Sequence, residues 1–356
     1  MNRYASPQRS TAVAVWLFTL ALLVLLMVVV GGATRLTHSG LSITDWKPIR
    51  GAIPPLSVAD WNAEFRHYQQ IPQYRLLNRG MSLEAFKGIY WWEWWHRLLG
   101  RVVGLAFLIP FVWFLVRREL PVRLTWRCCA LFALGALQGL LGWWMVSSGL
   151  TRLTSVAPER LAVHLGTALI LFVALVWTGL EALAGPERAR ASRAWTGTCA
   201  GLLGATYLQC LMGALVAGNH AGLIYNDWPL MNGRFVGPVN WSGGALHALL
   251  HDQALVQFDH RMFAYVLLAC LTAWSAAVLT RRIPEGLKLF AAVFLGLGWA
   301  QAALGVATLM AGAPLWLAIL HQTGAVLLLT AATVCLWRML RFEPRSFGGG
   351  IGSRAL

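Results

Sequence analysis

Eight apolar stretches, each long enough to cross a lipid bilayer, limit the folds open to this chain more than any other feature. They run near residues 12–33, 91–116, 128–149, 161–183, 194–218, 258–280, 289–311 and 316–340. A spanning segment needs about 20 apolar residues, and in hydrocarbon its backbone must satisfy its own N–H and C=O groups, which a helix does. Composition agrees: 58% of residues are hydrophobic and 12% charged, about half the charge of an ordinary soluble domain. The expected fold is an all-α integral membrane protein of eight transmembrane helices. The first apolar run, at about 22 residues, exceeds the roughly 7–15 of a signal-peptide core and reads as a retained anchor.

Basic residues set the orientation. With eight spans both termini share a side, and that side carries Arg3, Arg9, Arg117, Arg118, Arg123, Arg127, Arg188, Arg190, Arg193, Arg281, Arg282, Lys288, Arg338, Arg341, Arg345 and Arg354. The shorter opposite loops hold only Arg152, Arg160 and Arg234. The long loop after the first span is also basic, but long loops weigh little in this rule. The positive-inside rule places both termini in the cytoplasm. The net charge of +15 is mostly this topology signal, and no basic, aromatic-interleaved surface points to nucleic acid. Cys128, Cys129, Cys199, Cys210, Cys270 and Cys335 all fall within spans, which argues against an external disulfide. The adjacent Cys128–Cys129 pair reads as small apolar packing.

The chain also repeats itself. GGATRLTHSGLSITDWKP (31–48) is echoed by VAGNHAGLIYNDWP (216–229), with equal spacing from His38 to Asp45 and from His220 to Asp227. His96-Arg97 matches His260-Arg261. Gln138-x-x-Leu141-Gly142 matches Gln301-x-x-Leu304-Gly305, and His164-Leu-Gly-Thr-Ala matches His321-Gln-Thr-Gly-Ala. Spans one to four and five to eight are therefore two copies of one unit. The halves are 1–183 and 184–356, expected as tandem four-helix bundles. An even number of spans per copy inserts both the same way up, so their relating axis lies along the membrane normal.

Of nine histidines, four lie inside spans: His96, His164, His260 and His321. Ionisable groups in a bilayer are costly and usually functional, and four at matched places in a repeat are hard to explain as isolated core residues. All four sit a few residues inside the outer ends of their spans, at similar depth. Two helices offering histidine at one level fit the two axial positions of a haem iron, pairing His96 with His164 and His260 with His321. Arg97 and Arg261 follow their histidines directly, as partners for haem propionates or as side chains snorkelling to the interface. Glu93 lies one turn before His96, on the same helix face, whereas Gln257 holds that place before His260. A carboxylate in one copy and an amide in the other suggests one reactive site and one carrier site. The tryptophans of WWEWW (91–95) read as an interfacial belt. His38 and His220 read as turn residues of the repeated loop. His247 and His251, four apart on an interfacial helix near 245–255, have metal-compatible spacing but no evident third ligand. His67 lies in a polar loop, and 348–352 is a Gly-rich tail.

TRLTHSGLSITDWKPIRGAIPP (34–55), EWWHRLLGRVVG (93–104), DHR (259–261) and HQTGA (321–325) resemble the haem A synthase family, in the form shared by mitochondria and many Gram-negative bacteria, over about 12–340. The resemblance implies an oxidoreductase that converts the C8 methyl of haem O to the formyl of haem A by successive hydroxylations and dehydration, for terminal oxidase assembly. It implies His96, His164 and Glu93 as the substrate site, and His260 and His321 as ligands of a haem b cofactor. Implied surroundings are the cell inner membrane, haem sites toward the periplasm, and haem O synthase and cytochrome c oxidase assembly factors as partners. A homo-oligomer is left open. Some members carry a cysteine pair in the outside loops, and this chain does not. Two other readings stand beside this one. A di-haem electron carrier would usually stack its haems near opposite membrane faces, and a haem-transfer protein would do no chemistry.

Overall fold

The computed structural model describes residues 10–47, 49–184, 193–281 and 285–341. Arg3, Arg9, Arg188, Arg190, Arg282, Arg345, Arg354, the side chain of Arg193 and the tail 348–352 lie outside the described residues. In chain order the helices are α1 (Thr11–Leu36), α2 (Val58–Tyr68), α3 (Pro72–Leu76), α4 (Leu83–Val116), α5 (Val122–Thr151) and α6 (Pro158–Ala184). The second half adds α7 (Arg193–Gly218), α8 (Ala245–His251), α9 (Gln253–Thr280), α10 (Glu285–Met310) and α11 (Leu315–Leu340). Eight of these, α1, α4–α7 and α9–α11, are long and apolar enough to cross a membrane, so this is a multi-pass membrane protein.

Several helices begin earlier than their apolar runs, because side-chain caps rather than hydropathy set their ends. Ser82 Oγ accepts from Ala85 N at 3.2 Å and starts α4 at Leu83 rather than near 91. Asp252 accepts from Leu255 N at 2.9 Å and starts α9 at Gln253 rather than near 258. That same Asp252 is extended (φ −75°, ψ 119°), so the interfacial helix expected over 245–255 is cut into α8 and the first turn of α9.

Each half closes a ring. α1 packs on α4, α4 on α5, α5 on α6 and α6 on α1; α7, α9, α10 and α11 repeat the circuit. α4 and α6 are thus diagonal across the first ring, and α9 and α11 across the second. α6 meets α7 and α11, and α1 meets α11, along the seam between halves. The first span is part of this core: Leu17, Leu20 and Val24 are buried, and Trp16 packs edge-on to Phe107. The second half has its own apolar centre, including Leu271, Phe294 and Ala332.

Over the α4 end of the first half sits an aromatic cap. Tyr68, Phe86, Tyr90 and Trp94 are buried there with Leu41. This divides the WWEWW segment: Trp94 is core, while Trp92 and Trp95 are exposed, as an interfacial belt requires. All six cysteines are free.

Candidate functional site

The four histidines come from the diagonal helices. His96 (α4) and His164 (α6) are electrostatic neighbours across the first ring, as are His260 (α9) and His321 (α11) across the second. Diagonal helices leave space between them that neighbouring helices fill, which is where bundles house cofactors.

Four glycines make room for the rings. A Cβ at Gly31 would stand 3.1 Å from His96 Nε2, and one at Gly142 would stand 3.3 Å from His164 Cε1. In the second half a Cβ at Gly213 would stand 3.2 Å from His260 Cε1, and at Gly305 2.8 Å from His321 Cε1. Gly142 and Gly305 were visible as repeated letters. Only the structure gives the reason: each imidazole lies against the bare backbone of the adjoining helix.

Amides approach the rings as well. Gln301 Nε2 lies 3.0 Å from His321 Nδ1 and donates to the His321 carbonyl at 2.8 Å. The Gln138 amide, in the orientation that satisfies it, lies 3.1 Å from His164 Nδ1. Gln209 Nε2 lies 3.0 Å from His260 Nδ1, 3.3 Å from its Nε2 and 2.9 Å from its carbonyl oxygen. The Oε1 atoms of Gln209 and Gln301 are buried without a partner. Each amide thus turns its NH2 toward both the ring and the backbone carbonyl of its histidine and fixes where that imidazole sits. Paired imidazoles inside an apolar ring of helices fit a bis-histidine haem.

Glu93 and Arg97 do something that the sequence did not disclose. The Glu93 carboxylate is buried and accepts four hydrogen bonds. Arg97 donates to Oε1 from Nε at 3.1 Å and from Nη2 at 2.7 Å; Ser42 Oγ (2.8 Å) and the Ile43 N–H (2.9 Å) donate to Oε2. Arg97 also donates to the carbonyls of Ile43 (2.7 Å) and Asp45 (3.0 Å). The pair therefore clamps the repeated loop onto α4 one turn from His96. In the second half Arg261 donates to the carbonyls of Tyr225 (2.9 Å) and Leu230 (3.0 Å), and Gln257 Nε2 donates to the same Tyr225 carbonyl at 3.1 Å. Tyr225 is the repeat counterpart of Ile43. Both arginines thus hold loop backbone.

His38 and His220 do turn the loop: both adopt left-handed backbone, at φ 56° and 53°. They also meet. Their rings stack at 5.3 Å on the seam, and Arg35 crosses it to donate to the carbonyls of Ala217 and Gly218 and to reach His220 Nε2 at 2.8 Å. The stack was not foreseen, because two residues far apart in sequence make it. His247 and His251 are in ring contact at 4.7 Å, and no metal-holding group of three His, Cys, Asp or Glu side chains occurs among the described residues.

The family model described as "Cytochrome oxidase assembly protein" matches residues 14–333. The chain belongs to that family. Its relatives include proteins named "Heme A synthase" from Caulobacter sp. (strain K31), 57% identical over 96% of this chain and 100% of the relative, and from Caulobacter vibrioides, 55% identical over 96% and 100%. Another of that name, from Parvibaculum lavamentivorans, is 48% identical over 93% of this chain and 94% of its own length. The eight apolar helices of this family member all begin within the matched segment or less than one turn before it.

Proposed function

We propose that this membrane enzyme is a haem A synthase, an oxidoreductase that takes haem O into the first half between His96 and His164 and returns it as haem A. The second half holds haem b between His260 and His321. The observation that carries the reading is the acid–amide exchange between the two loop clamps: Glu93 in one half, Gln257 in the other. The names and extent of the relatives support the same activity.

Converting the C8 methyl to a formyl removes four electrons and adds one oxygen atom (R–CH3 + H2O → R–CHO + 4H+ + 4e−), so two hydroxylations followed by loss of water need an external electron acceptor as co-reactant. Bound haem b supplies one-electron chemistry to that sequence. The chain's own residues do the rest. His96 and His164 orient the substrate from opposite helices, and the apolar ring excludes bulk water. The Glu93 carboxylate, one turn from His96 and paired with Arg97, would accept protons released by the substrate. Because the same carboxylate binds Ser42 and Ile43, proton acceptance and the position of the covering loop are linked.

The protein sits in the cell inner membrane with both termini cytoplasmic and the histidines toward the periplasm, where haem O synthase and cytochrome c oxidase assembly factors are its natural partners. A C-terminal reporter is expected to be active only in its cytoplasmic form. The deciding experiment extracts haems from cells that make haem O with and without this chain. Haem A should appear only with it; its absence in cells holding the intact protein would refute the assignment. Replacing His260 or His321 by Ala should remove the b-type absorbance of the purified protein, and an unchanged low-spin spectrum in both would refute the placement of haem b.

A further inference from the structure

The loop that follows α1 runs along the side of α4, and a ladder of hydrogen bonds fixes its course. The Ile43 N–H donates to Glu93, the Ile43 and Asp45 carbonyls accept from Arg97, and the Lys47 carbonyl accepts from Arg101 Nη2 at 2.9 Å. A Cβ at Gly51 would stand 2.9 Å from that same Nη2, so the turn Arg50–Ala52 lies at this level too. The exposed Trp92 and Trp95 mark the membrane interface on α4. Arg101 stands further into the span than Trp95 by about 9 Å of helix rise. Helical side chains lean back toward the N-terminal end, which places residues 47–52 just below the interfacial tryptophans. The second half repeats the course. Trp228, the counterpart of Trp46, donates its indole N–H to Tyr265 Oη at 2.7 Å, and Tyr265 follows His260 as Arg101 follows His96.

We propose that residues 46–58 are a membrane-inserted segment, seated at the headgroup–acyl boundary of the leaflet beside His96, with lipid as the partner of its apolar side chains. The segment turns Trp46, Ile49, Ile53, Leu56 and Val58 outward, with Ile49 86% and Ile53 67% exposed. On α4 the lipid-facing surface carries on at Val102 and Leu105, beside Arg101 and one turn beyond it. Irregular backbone enters lipid only where its polar groups are answered, and here they are. The Gly51 N–H donates to the Lys47 carbonyl at 3.0 Å, Ala52 to Ile49 at 3.1 Å and Ile53 to Arg50 at 3.1 Å. Pro54 and Pro55 have no N–H, so from residue 51 to 55 no amide N–H is left for water. The charges keep to the rim. Lys47 pairs with Asp45 at 3.1 Å and Glu64 at 3.0 Å, and the exposed Arg50 can meet a lipid phosphate. Interfacial segments of this kind bury their apolar face roughly 5–10 Å into that boundary. Glu93 and Arg97 hold residues 42–45 immediately before it, so protein grips one end of the loop and lipid the other.

The test uses the unmodified full-length protein in phosphatidylcholine vesicles that contain a phosphatidylcholine with a diazirine on its acyl chain. After illumination the adducts are mapped by peptide mass spectrometry. They are expected within 46–58 as well as around Leu105, and not around Glu84, which is exposed at the start of α4 before the tryptophan belt. Adducts around Leu105 with none in 46–58 would overturn the proposal. A second measurement reads the surroundings directly, from a nitroxide on Ile49→Cys or Ile53→Cys above the background of the six native cysteines. Each label should collide with oxygen as one on Leu105→Cys does, and lose the access to a water-soluble nickel chelate that one on Glu84→Cys retains. Nickel access at both positions would place the segment in water and overturn the proposal. Shielding from both reagents would overturn it as well, because protein then covers the segment. If that protein is a second copy of this chain, spin–spin broadening will appear and vanish on dilution with unlabelled protein.

Discussion

The two halves use one scaffold with different electrostatics. In the second, the Arg261 cation and the Gln257 amide both donate to the Tyr225 carbonyl, and no carboxylate takes part. In the first, the amide is replaced by Glu93, and the partners change accordingly: the carboxylate takes the Ile43 N–H and the Ser42 hydroxyl, while Arg97 keeps the Ile43 carbonyl. Next to His260 an arginine and an amide hold the loop by its carbonyls alone, so a carboxylate at this position is a feature of the first half rather than a requirement of the scaffold. Duplication made the comparison possible, and it isolates charge from architecture.

The strongest way to break this contrast is Glu93→Gln. Its two ends cannot both accept. Turned toward Ile43, the new NH2 meets an N–H; turned toward Arg97, it meets a guanidinium. Gln257 avoids this because its partner is a carbonyl. Removing one partner of a buried ion pair costs about 3–5 kcal/mol locally, and loss of a general base costs about 10²–10⁴ in rate. Haem A in cell extracts should fall at least about 100-fold while haem b remains, and residues 42–45 should become protease-sensitive. Undiminished haem A would make Glu93 a loop clamp only.

The glycine series sharpens the comparison by graded steric pressure. Gly305→Ala drives a methyl into the His321 ring at 2.8 Å, whereas Gly142→Ala meets His164 at 3.3 Å. Overpacking of this kind costs about 1–3 kcal/mol. Gly305→Ala should lose most of its b-type absorbance. Gly31→Ala, at 3.1 Å from His96, should keep haem b and make less haem A. Gly142→Ala should be nearly silent in both. Equal damage from all three would mean that the rings are free to move aside.

Span number, the repeat, the four histidines and the Glu93–Gln257 difference were all readable from the chain, because each is a matter of residue type at fixed spacing. What was hidden depends on partners distant in sequence. Glu93 is nearest in sequence to His96, yet two of its four donors come from the loop some fifty residues earlier. Arg97 and Arg261 looked like propionate partners or snorkelling side chains, and the backbone carbonyls they hold carry no sequence signature. Helix starts were misplaced where a polar cap stood several residues ahead of the apolar run, as at Ser82 and Asp252.

Gln257→Glu asks whether charge alone converts the proposed haem b site into a reactive one. The new carboxylate loses the donation to the Tyr225 carbonyl but has Arg261 within reach one turn on, as Glu93 has Arg97, so the fold should survive at reduced stability. The added negative charge favours ferric iron, and the haem b potential should drop modestly. Combined with Glu93→Gln, it should not restore haem A. Restoration would mean that the halves differ in nothing but this charge.

The smallest expected effect lies on the seam. Burial and the Arg35 cation hold the His220 imidazole down at about 4, below its ordinary 6.5, and push His38 in the same direction. Both rings are therefore neutral in the folded protein at pH 7, which lets them stack beside a guanidinium. Between pH 6.5 and 4 the unfolded chain binds protons that the folded one refuses. Stability from this pair is fully present above the ordinary value and declines as pH falls through that window. His220 is only half-buried, so solvent screening keeps the effect small. Thermal unfolding of the purified protein should show a slightly lower midpoint at pH 5 than at pH 7. His220→Asn removes the titrating ring yet tolerates the left-handed backbone at φ 53°, and should flatten that part of the pH dependence. An identical pH slope in the variant would show that the histidine stack does not couple the two halves to pH.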